Sequence, residues 1–322
     1  MDALSETLRI VRLVSAIFLQ GRFSAPWCYQ SPSADAAAPL LEPGAERVVI
    51  FHLITDGECH VELGDAPPLH LVAGDAVLFT QGDAHRMAST PGLPPAQGAR
   101  LDEVLARRPR RLAYGGGGAR TRLVCGYLAC DARLARLLLT GLPRVLRVHV
   151  RGSEAGDWLE ASLRYALAQG RSPQPGAEGL LAKLAELLFI EVLRLHMNTP
   201  GEGRSGWLAG MGDPVVGAAL QGMHQQPARA WTLDELARHA GSSRSVLAER
   251  FQRLVGSAPM QYLTQWRLLL AANLLRHSSD QLSRIAEQVG YQTDTALSRA
   301  FRREYGAPPA AWRRSQGLPA RR

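Results

Sequence analysis

Residues 285–309 read IAEQVGYQTDTALSRAFRREYGAPP, and this stretch decides the fold of the last third of the chain. A related stretch, LARHAGSSRSVLAERFQRLVGSAP, occupies residues 236–259. Small residues, a glycine, a Leu, a Phe and a Pro recur between the two at an offset of 49 to 50 residues. Such a repeat indicates that one supersecondary unit occurs twice.

Each copy meets the physical requirements of a helix-turn-helix. Ala237 or Ala286 lets two helices approach closely, and Gly241 or Gly290 gives the backbone the freedom that a tight turn needs. The predicted caps are Thr232 with Glu235 for the first helix, and Ser242 or Ser243 and Thr293 for the second helices. The apolar pairs of the second helices are Leu247 with Phe251 and Leu297 with Phe301.

The segment between the two copies predicts one long helix, from Pro259 to about Arg276. A helix of that length is on the order of 25 Å long. Such a connector can hold two recognition helices about one DNA turn, roughly 34 Å, apart.

The positive charge is concentrated in the same third of the chain. The 322 residues carry a formal net charge of +8, and residues 207–322 hold 15 Arg and no Lys against 8 acids, or +7. A basic segment in a protein that is otherwise near neutral indicates a polyanionic partner, with nucleic acid and anionic membrane as the leading candidates.

Several protein classes are disfavoured by composition. No run of 18 apolar residues occurs, and the N-terminus lacks the pattern of a secretory signal, so we expect a cytoplasmic protein without a membrane partner. The apolar positions of the basic helices are used by the helix-turn-helix core, which leaves no lipid-facing stripe. We expect the four cysteines to be free thiols in such a protein.

The duplicated segment resembles the AraC/XylS family of transcription regulators. The resemblance implies two units that bind adjacent major grooves of double-stranded DNA, with recognition helices over about 243–255 and 294–305. It also implies RNA polymerase as a partner. Positions that match the family's base-contacting residues are Ser245, Ala248 and Glu249 in the first unit and Asp294, Thr295, Ser298 and Arg299 in the second. The residues that cap or flank these helices and complete the predicted interface are Ser243, Arg244, Thr293 and Arg302.

Arg299 is the residue that we expect to recognise guanine, because a guanidinium can bond O6 and N7 together; a phosphate contact is the alternative. Ala248 and Glu249 depart from the larger or basic side chains that are common in the family. Readout by the first unit is therefore expected to be weak, or to favour cytosine through Glu249, unless Arg244 supplies a base contact. The other arginines are expected to contact phosphate, solvent or acids of the same chain: Arg238, Arg250, Arg253, Arg267, Arg302, Arg303, Arg313 and Arg314.

Residues 47–86 predict short strands separated by turns, which favours an antiparallel β-sandwich or small barrel. A Pro-, Arg- and Gly-rich excursion, 91–120, precedes a further strand over 121–129. Two helices follow, over about 157–169 and 178–197. The second has an apolar seam that either packs on the barrel or forms a dimer interface, made of Leu181, Leu184, Leu188 and Leu195.

The β-rich region resembles the cupin-type sensor domain found at the N-terminus of many AraC regulators. The residues that carry this resemblance include His52 before Gly57, Gly74-Asp75, and Gly82-Asp83-Ala84-His85. The fold class is thus an α+β multidomain protein, with a cupin-like antiparallel barrel and a C-terminal all-helical domain. The predicted divisions are a sensor (1–150), a helical dimerisation or packing segment (151–198), a linker (199–212) and a double helix-turn-helix domain (213–316). The resemblance implies a small-molecule, metal or redox signal received in or near the barrel, and we expect the protein to be a homodimer.

The rival interpretation is a cupin-type metal-dependent enzyme fused to a nucleic-acid-binding domain. Cupin enzymes usually have a His-x-His motif, whereas Ile54 follows His52 here at that spacing, so we expect no catalysis. A non-catalytic zinc site formed by His52, His85 and Cys125 is one hypothesis, and its alternative is hydrogen-bonded histidines beside a buried thiol. A redox sensor is the other hypothesis, with Cys28 and Cys130 as the cysteines expected to be exposed.

Overall fold

The computed structural model describes residues 2–10, 14–95, 111–169, 175–199 and 205–315. The chain forms two compact units. The sheet unit comprises Leu13–Ala135 and Leu142–Gly201, and the helical unit comprises Met1–Arg12, Arg136–Gly141 and Glu202–Arg322. Two short stretches that the sequence prediction placed in the sensor, 2–10 and 136–141, therefore group with the helical unit.

The described part of the sheet unit contains ten strands in two sheets. The strands are β1 (Val14–Ser24), β2 (Cys28–Ser31), β3 (Arg47–Asp56), β4 (Glu58–Glu62), β5 (Leu69–Val72), β6 (Asp75–Phe79), β7 (His85–Ala88), β8 (Arg111–Gly115), β9 (Arg120–Cys130) and β10 (Val145–His149). One sheet has the order β10-β6-β3-β9-β1-β8, and the other has the order β2-β7-β4-β5.

The predicted antiparallel barrel is not confirmed. The described strands form two open sheets, and β1 pairs in parallel with β8, with Gln20 opposite Arg111. Parallel neighbours require a long connection, and these two strands are separated by most of the sheet unit. Part of the predicted excursion, 96–110, lies outside the described residues.

The main apolar core lies between the two sheets. Successive residues of a strand point to opposite faces, and Val48, Ile50 and Ile54 of β3 point inward with Leu123 and Tyr127 of β9. The outer face of β3 is buried as well. Helix α5 (Ala177–Asn198) packs on β1, β9 and β10 of this sheet.

The sheet unit also contains α2 (Ala34–Leu41), α4 (Glu154–Gln169) and α5 (Ala177–Asn198), while α3 (Ala132–Leu139) crosses the boundary between units. The two predicted helices after the strands are confirmed as α4 and α5. Leu184 and Leu188 of the predicted seam are buried in this chain, as the packing alternative required. A different set stays 41% to 62% exposed: Trp158 and Tyr165 on α4, and Leu180 and Leu187 on α5.

The helical unit contains α1 (Ala3–Ile10), α6 (Trp207–Gly212), α7 (Pro214–Gln225), α8 (Leu233–His239), α9 (Arg244–Val255), α10 (Pro259–His277), α11 (Leu282–Gln288), α12 (Asp294–Tyr305) and α13 (Pro309–Ser315). The predicted linker, 199–212, is wrong over its last six residues, which form α6 with Trp207 fully buried. Residues 200–204 lie outside the described ranges. No helix among the described residues is long and apolar enough to cross a membrane.

Candidate nucleic-acid interface

The first helix-turn-helix consists of α8 and α9. Thr232 and Glu235 form a reciprocal capping box at the start of α8, and the Ser243 hydroxyl accepts a hydrogen bond from the Val246 amide at the start of α9. Gly241, between the helices, has φ of +60°, a conformation that glycine adopts without steric cost. The predicted caps and turn of this copy are confirmed.

The second helix-turn-helix consists of α11 and α12. The Thr293 hydroxyl accepts a hydrogen bond from the Ala296 amide at 3.1 Å and caps α12. Gly290 has φ of +83°, and a Cβ at this position would lie 2.8 Å from the Cα of Ala228. Glycine is thus required here both for its conformation and for the close approach of the segment before α8.

Both second helices bury one face and expose the other. The second helices bury Leu247 and Phe251 in the first copy and Leu297 and Phe301 in the second. These side chains pack with buried residues of the first helices: Leu236 and Ala237, and Ile285 and Ala286. Most predicted DNA-binding residues are exposed on the opposite faces: Ser243, Arg244, Ser245 and Glu249, and Thr293, Asp294, Thr295, Arg299 and Arg302. Ala248 and Ser298 are half-buried beside them. Each predicted recognition helix therefore offers a polar face of the kind that reads a groove.

Arg244 and Arg299 differ in their partners. Arg244 forms an exposed ion pair with Asp234 of α8, with 3.1 Å between Nε and the carboxylate oxygen. Arg299 is exposed, and within the described part of the chain no hydrogen bond or ion pair engages its guanidinium. Arg299 can thus meet a ligand without breaking a contact, whereas Arg244 must give up an acid.

Two arginines expected at phosphate, solvent or acids are instead bonded to the main chain. Arg267 of α10 donates to the carbonyls of Pro227 and Arg229, in the segment before α8. In the second copy, Arg313 of α13 donates to the carbonyls of Leu275 and Asp280, around the segment before α11. Each copy therefore uses one arginine to fix the start of its first helix. Both residues lie in the helix after a recognition helix, but they are 46 residues apart and do not match the 49- to 50-residue offset of the repeat, so the repeat gave no signal for this role.

Arg250 contacts an acid of the same chain, one of the three kinds of contact that we expected for these arginines. Its guanidinium lies 3.3 Å from the carboxylate of Asp213, whose other oxygen caps α7. This pair connects the first recognition helix to the start of the domain.

A second polar constellation lies in the core of the sheet unit. His52 of β3 is the direct cross-strand neighbour of Cys125 of β9, and its Nδ1 is 2.9 Å from the Cys125 sulfur. Its Nε2 is 2.7 Å from Nε2 of His85, which begins β7 in the other sheet. The Nδ1 atom of His85 is 3.0 Å from the carbonyl oxygen of Asp83. We call these three side chains the Cys-His-His chain.

The Asp83 carbonyl sets the direction of every hydrogen bond in the Cys-His-His chain. A carbonyl only accepts, so Nδ1 of His85 carries a hydrogen and its Nε2 accepts from His52. Nδ1 of His52 must then accept from the Cys125 thiol. Burial lowers the pKa of both histidines, that of His85 to about 4, and raises the pKa of the Cys125 thiol. The chain is therefore neutral and links the two sheets.

The predicted zinc ligands are brought together, but as a line of hydrogen bonds. A single ion bound by all three needs donor atoms directed at one point, whereas the two nitrogens of His52 face opposite partners. Among the described residues, no group of three His, Cys, Asp or Glu side chains is arranged to hold a metal ion. The zinc site stays a prediction.

The expected exposure of Cys28 is wrong. Cys28 lies in β2, pairs with Ala88 of β7 and is only 2% exposed. Cys130 is partly buried at the end of β9, and burial raises the pKa of both thiols, that of Cys130 to about 12. A sensor thiol is normally accessible and low in pKa. Redox sensing at these two positions stays a prediction.

The fold and the paired helices define a class of protein, the two-unit regulators that join a sheet domain to helix-turn-helix motifs. A family model described as Cupin matches residues 2–198, and one described as Helix-turn-helix domain matches residues 236–315. A putative AraC-like transcription regulator of Streptomyces lividans is 39% identical over 85% of this chain and 90% of that protein. The HTH-type transcriptional regulator AlkR of Acinetobacter baylyi is 29% identical over 97% of this chain and 99% of that protein.

A crystal structure of the DNA-binding domain of AdpA with a target DNA also matches, at 33% identity, over 32% of this chain and 92% of that chain, with a TM-score of 0.31. The 39% identity with the Streptomyces lividans relative extends over most of both chains, which places this protein in the same family. The chain belongs to the AraC-like family of transcription regulators, with an N-terminal cupin domain and a C-terminal helix-turn-helix DNA-binding domain.

Proposed function

We propose that this regulator reads its operator with α9 and α12 in adjacent major grooves, and that Arg299 supplies a guanine contact. The observation that carries the proposal is the exposed guanidinium of Arg299 on a capped recognition helix, without a partner in the described residues. A bidentate contact to O6 and N7 of guanine suits such a group.

The remaining predicted residues divide into two roles. Those near base edges are Ser245, Ala248 and Glu249 in α9, with Asp294, Thr295 and Ser298 in α12. Ser243 and Thr293 position the helices through their caps, and Arg244 and Arg302 contact phosphate. Arg244 exchanges its ion pair with Asp234 for that contact.

The connecting helix supports simultaneous binding by both units. Helix α10 has 19 residues, and its length is about 28 Å at 1.5 Å per residue. This length is comparable to one turn of DNA, roughly 34 Å. Both recognition helices can thus contact one face of the duplex.

The sheet unit acts as a sensor without catalysis, which agrees with relatives that are named as transcription regulators. The regulator acts as a homodimer and communicates with RNA polymerase. The exposed apolar residues of α4 and α5 support dimerisation, because large apolar side chains at helix surfaces are typical of protein interfaces. An effector changes DNA binding only by its unequal affinity for competent and incompetent states.

The base-reading role of Arg299 can be tested on sites selected from a random-sequence DNA library with the full-length protein. Arg299→Ala should cost about 1 to 3 kcal/mol on the selected site and relax preference at one base pair. Arg302→Ala, on the same helix, is the matched control and should weaken all sequences equally. Fluorescence anisotropy with single-base-pair variants, at one fixed salt concentration, measures both effects. Equal weakening on all sequences by Arg299→Ala would contradict the assignment.

A further inference from the structure

The sheet unit contains an arginine-rich cavity that no part of DNA recognition uses. Its volume is about 540 Å³, and it is lined by β1, the end of β3, β8, β9 and α4. This volume suits a small molecule. Five of the described arginines line the cavity, which we call the arginine pocket: Arg22, Arg111, Arg122, Arg151 and Arg164.

The pocket lies on the outer face of the six-stranded sheet, away from the core between the sheets. Leu112 and Leu123 belong to that core, so Arg111 and Arg122, their neighbours in sequence, point to the opposite face. Arg22 stands directly opposite Arg122 in the pairing of β1 with β9. Like charges directly across a strand pair destabilise a sheet. An anion bound at this face would lie against both guanidinium groups and reduce their mutual repulsion.

Two acids among the described residues pair with three of the pocket's arginines. Asp56 lies 3.7 Å from Arg122. Glu160 of α4, itself buried, bonds both Arg151 at 2.5 Å and Arg164 at 3.1 Å.

Arg111 provides the most direct sign of a missing partner. Its Nε is buried and has no hydrogen-bond partner among the residues that the structure describes. A buried polar group without a partner carries a desolvation cost that an incoming acceptor removes. The planar guanidinium fits the two oxygens of a carboxylate or phosphate.

We propose that the arginine pocket binds a small organic anion with a carboxylate or phosphate group, as the effector of this regulator. Val124 and Leu167 line the same cavity and offer an apolar wall for the rest of the molecule. The assignment of this ligand as an effector rests on the proposed function, whereas its binding does not.

The pocket is connected to α4 by its own ion pairs. Arg151 donates both to the Thr55 carbonyl at the end of β3 and to Glu160 of α4. A bound oxyanion competes with Glu160 for Arg151 and Arg164, which changes the attachment of α4 to the sheet. Helix α4 carries the exposed Trp158 and Tyr165, so ligand binding alters a face that the proposed dimer uses.

Isothermal titration of the full-length protein tests the pocket with citrate, succinate, benzoate, inorganic phosphate and glucose 6-phosphate, with glucose as the neutral control. We expect saturable binding of at least one anion with Kd below about 1 mM. The carboxylates and phosphates in the panel distinguish the two sources of an oxyanion. Absence of saturable binding by every anion would overturn the proposal.

Arg111→Gln and Arg122→Gln should each raise that Kd by about tenfold. Arg194→Gln, an exposed arginine of α5 outside the pocket, makes the same charge change and should leave the Kd unchanged. Because Arg122 is exposed at the surface, its variant keeps the test valid if Arg111→Gln folds poorly. Equal loss in Arg194→Gln would show general charge attraction and refute the pocket.

DNA binding by the same variants separates this inference from the proposed function. Without added anion, Arg111→Gln and Arg122→Gln should bind selected DNA as the wild type does. A uniform loss of DNA affinity would mean that these arginines contact nucleic acid, which would overturn the pocket as a small-molecule site. Failure of the wild type to select any DNA sequence would instead contradict the proposed function and leave the measured anion binding intact.

Discussion

The role of a histidine in this protein depends on its burial and on the groups that it contacts. His52 and His85 are neutral because burial lowers their pKa, and their hydrogens are directed by one carbonyl at Asp83. His70, by contrast, is half exposed and pairs with Glu58. The same residue type is therefore a buried structural link in one place and a surface group in the other.

The buried histidines predict a loss of stability in acid. The folded-state pKa of His85 is about 4, below the unfolded value of about 6.5. Neutral His85 makes its full contribution to folding stability above about pH 6.5, the unfolded pKa. Between this pH and the folded pKa the unfolded chain binds a proton that the folded chain does not, so the free energy of unfolding falls as the pH is lowered. Between pH 7 and pH 5, His85 alone should contribute a loss on the order of 1 to 2 kcal/mol.

Urea denaturation followed by circular dichroism at pH 7 and pH 5 measures this effect. His85→Asn should reduce the difference in unfolding free energy between the two pH values. A His85→Asn protein with the full wild-type difference would show that His85 is not the group responsible.

At the scale of elements, the two helix-turn-helix copies are alike in sequence and differ in packing. Gly241 has open space at its Cβ position, whereas Gly290 lies against the backbone at Ala228. The guanidinium of Arg267, which holds the Pro227 and Arg229 carbonyls, also lies next to Gly290. The turn of the second copy is thus packed against the segment that begins the first.

This difference predicts unequal effects of the same substitution. Both glycines have positive φ, so Ala at either position costs about 1 kcal/mol in backbone strain. Gly290→Ala should cost a further 1 to 3 kcal/mol or so, because its Cβ meets backbone that cannot rotate away. Thermal unfolding of the two variants measures the contrast. Equal shifts in Tm would mean that the segment at Ala228 yields easily.

The elements that sequence predicted best are those specified by local chemistry. Thr232, Ser243, Thr293 and the turn glycines each have a local reason for their position, and the helices begin and end accordingly. The sheet arrangement was missed because pairing of β1 with β8 depends on residues far apart in sequence. The main-chain hydrogen bonds of Arg267 and Arg313 were also missed, because the charge of an arginine does not show whether it contacts a phosphate or a carbonyl such as that of Leu275.

At the scale of the whole molecule, the sensor segment separates packing residues from exposed ones. Leu184 and Leu188 stabilise the sheet unit from within, while Trp158, Tyr165, Leu180 and Leu187 are left at the surface of α4 and α5. The predicted seam and the proposed dimer face are therefore different sets of residues. Substitution of the exposed set can test association without damage to the core.

We expect Leu187→Glu and Tyr165→Glu each to shift the protein from dimer toward monomer. The introduced carboxylate would lose its hydration in the dimer interface without gaining a partner, which disfavours association. Lys183→Gln, also on α5 and exposed, lowers the net charge by the same amount and should leave the dimer intact. Sedimentation equilibrium over a range of concentrations measures the association constants. Dimers of unchanged stability in both Glu variants would place the interface elsewhere.

The arginines bonded within the helical unit bear on how the protein competes with ions for DNA. Arg267 and Arg313 donate to main-chain carbonyls, and Arg250 is paired with Asp213. Counterions leave DNA only where a protein cation replaces them at a phosphate. The number of ions released on binding is therefore set by the arginines that face outward, and it is smaller than the basic composition of this third of the chain implies.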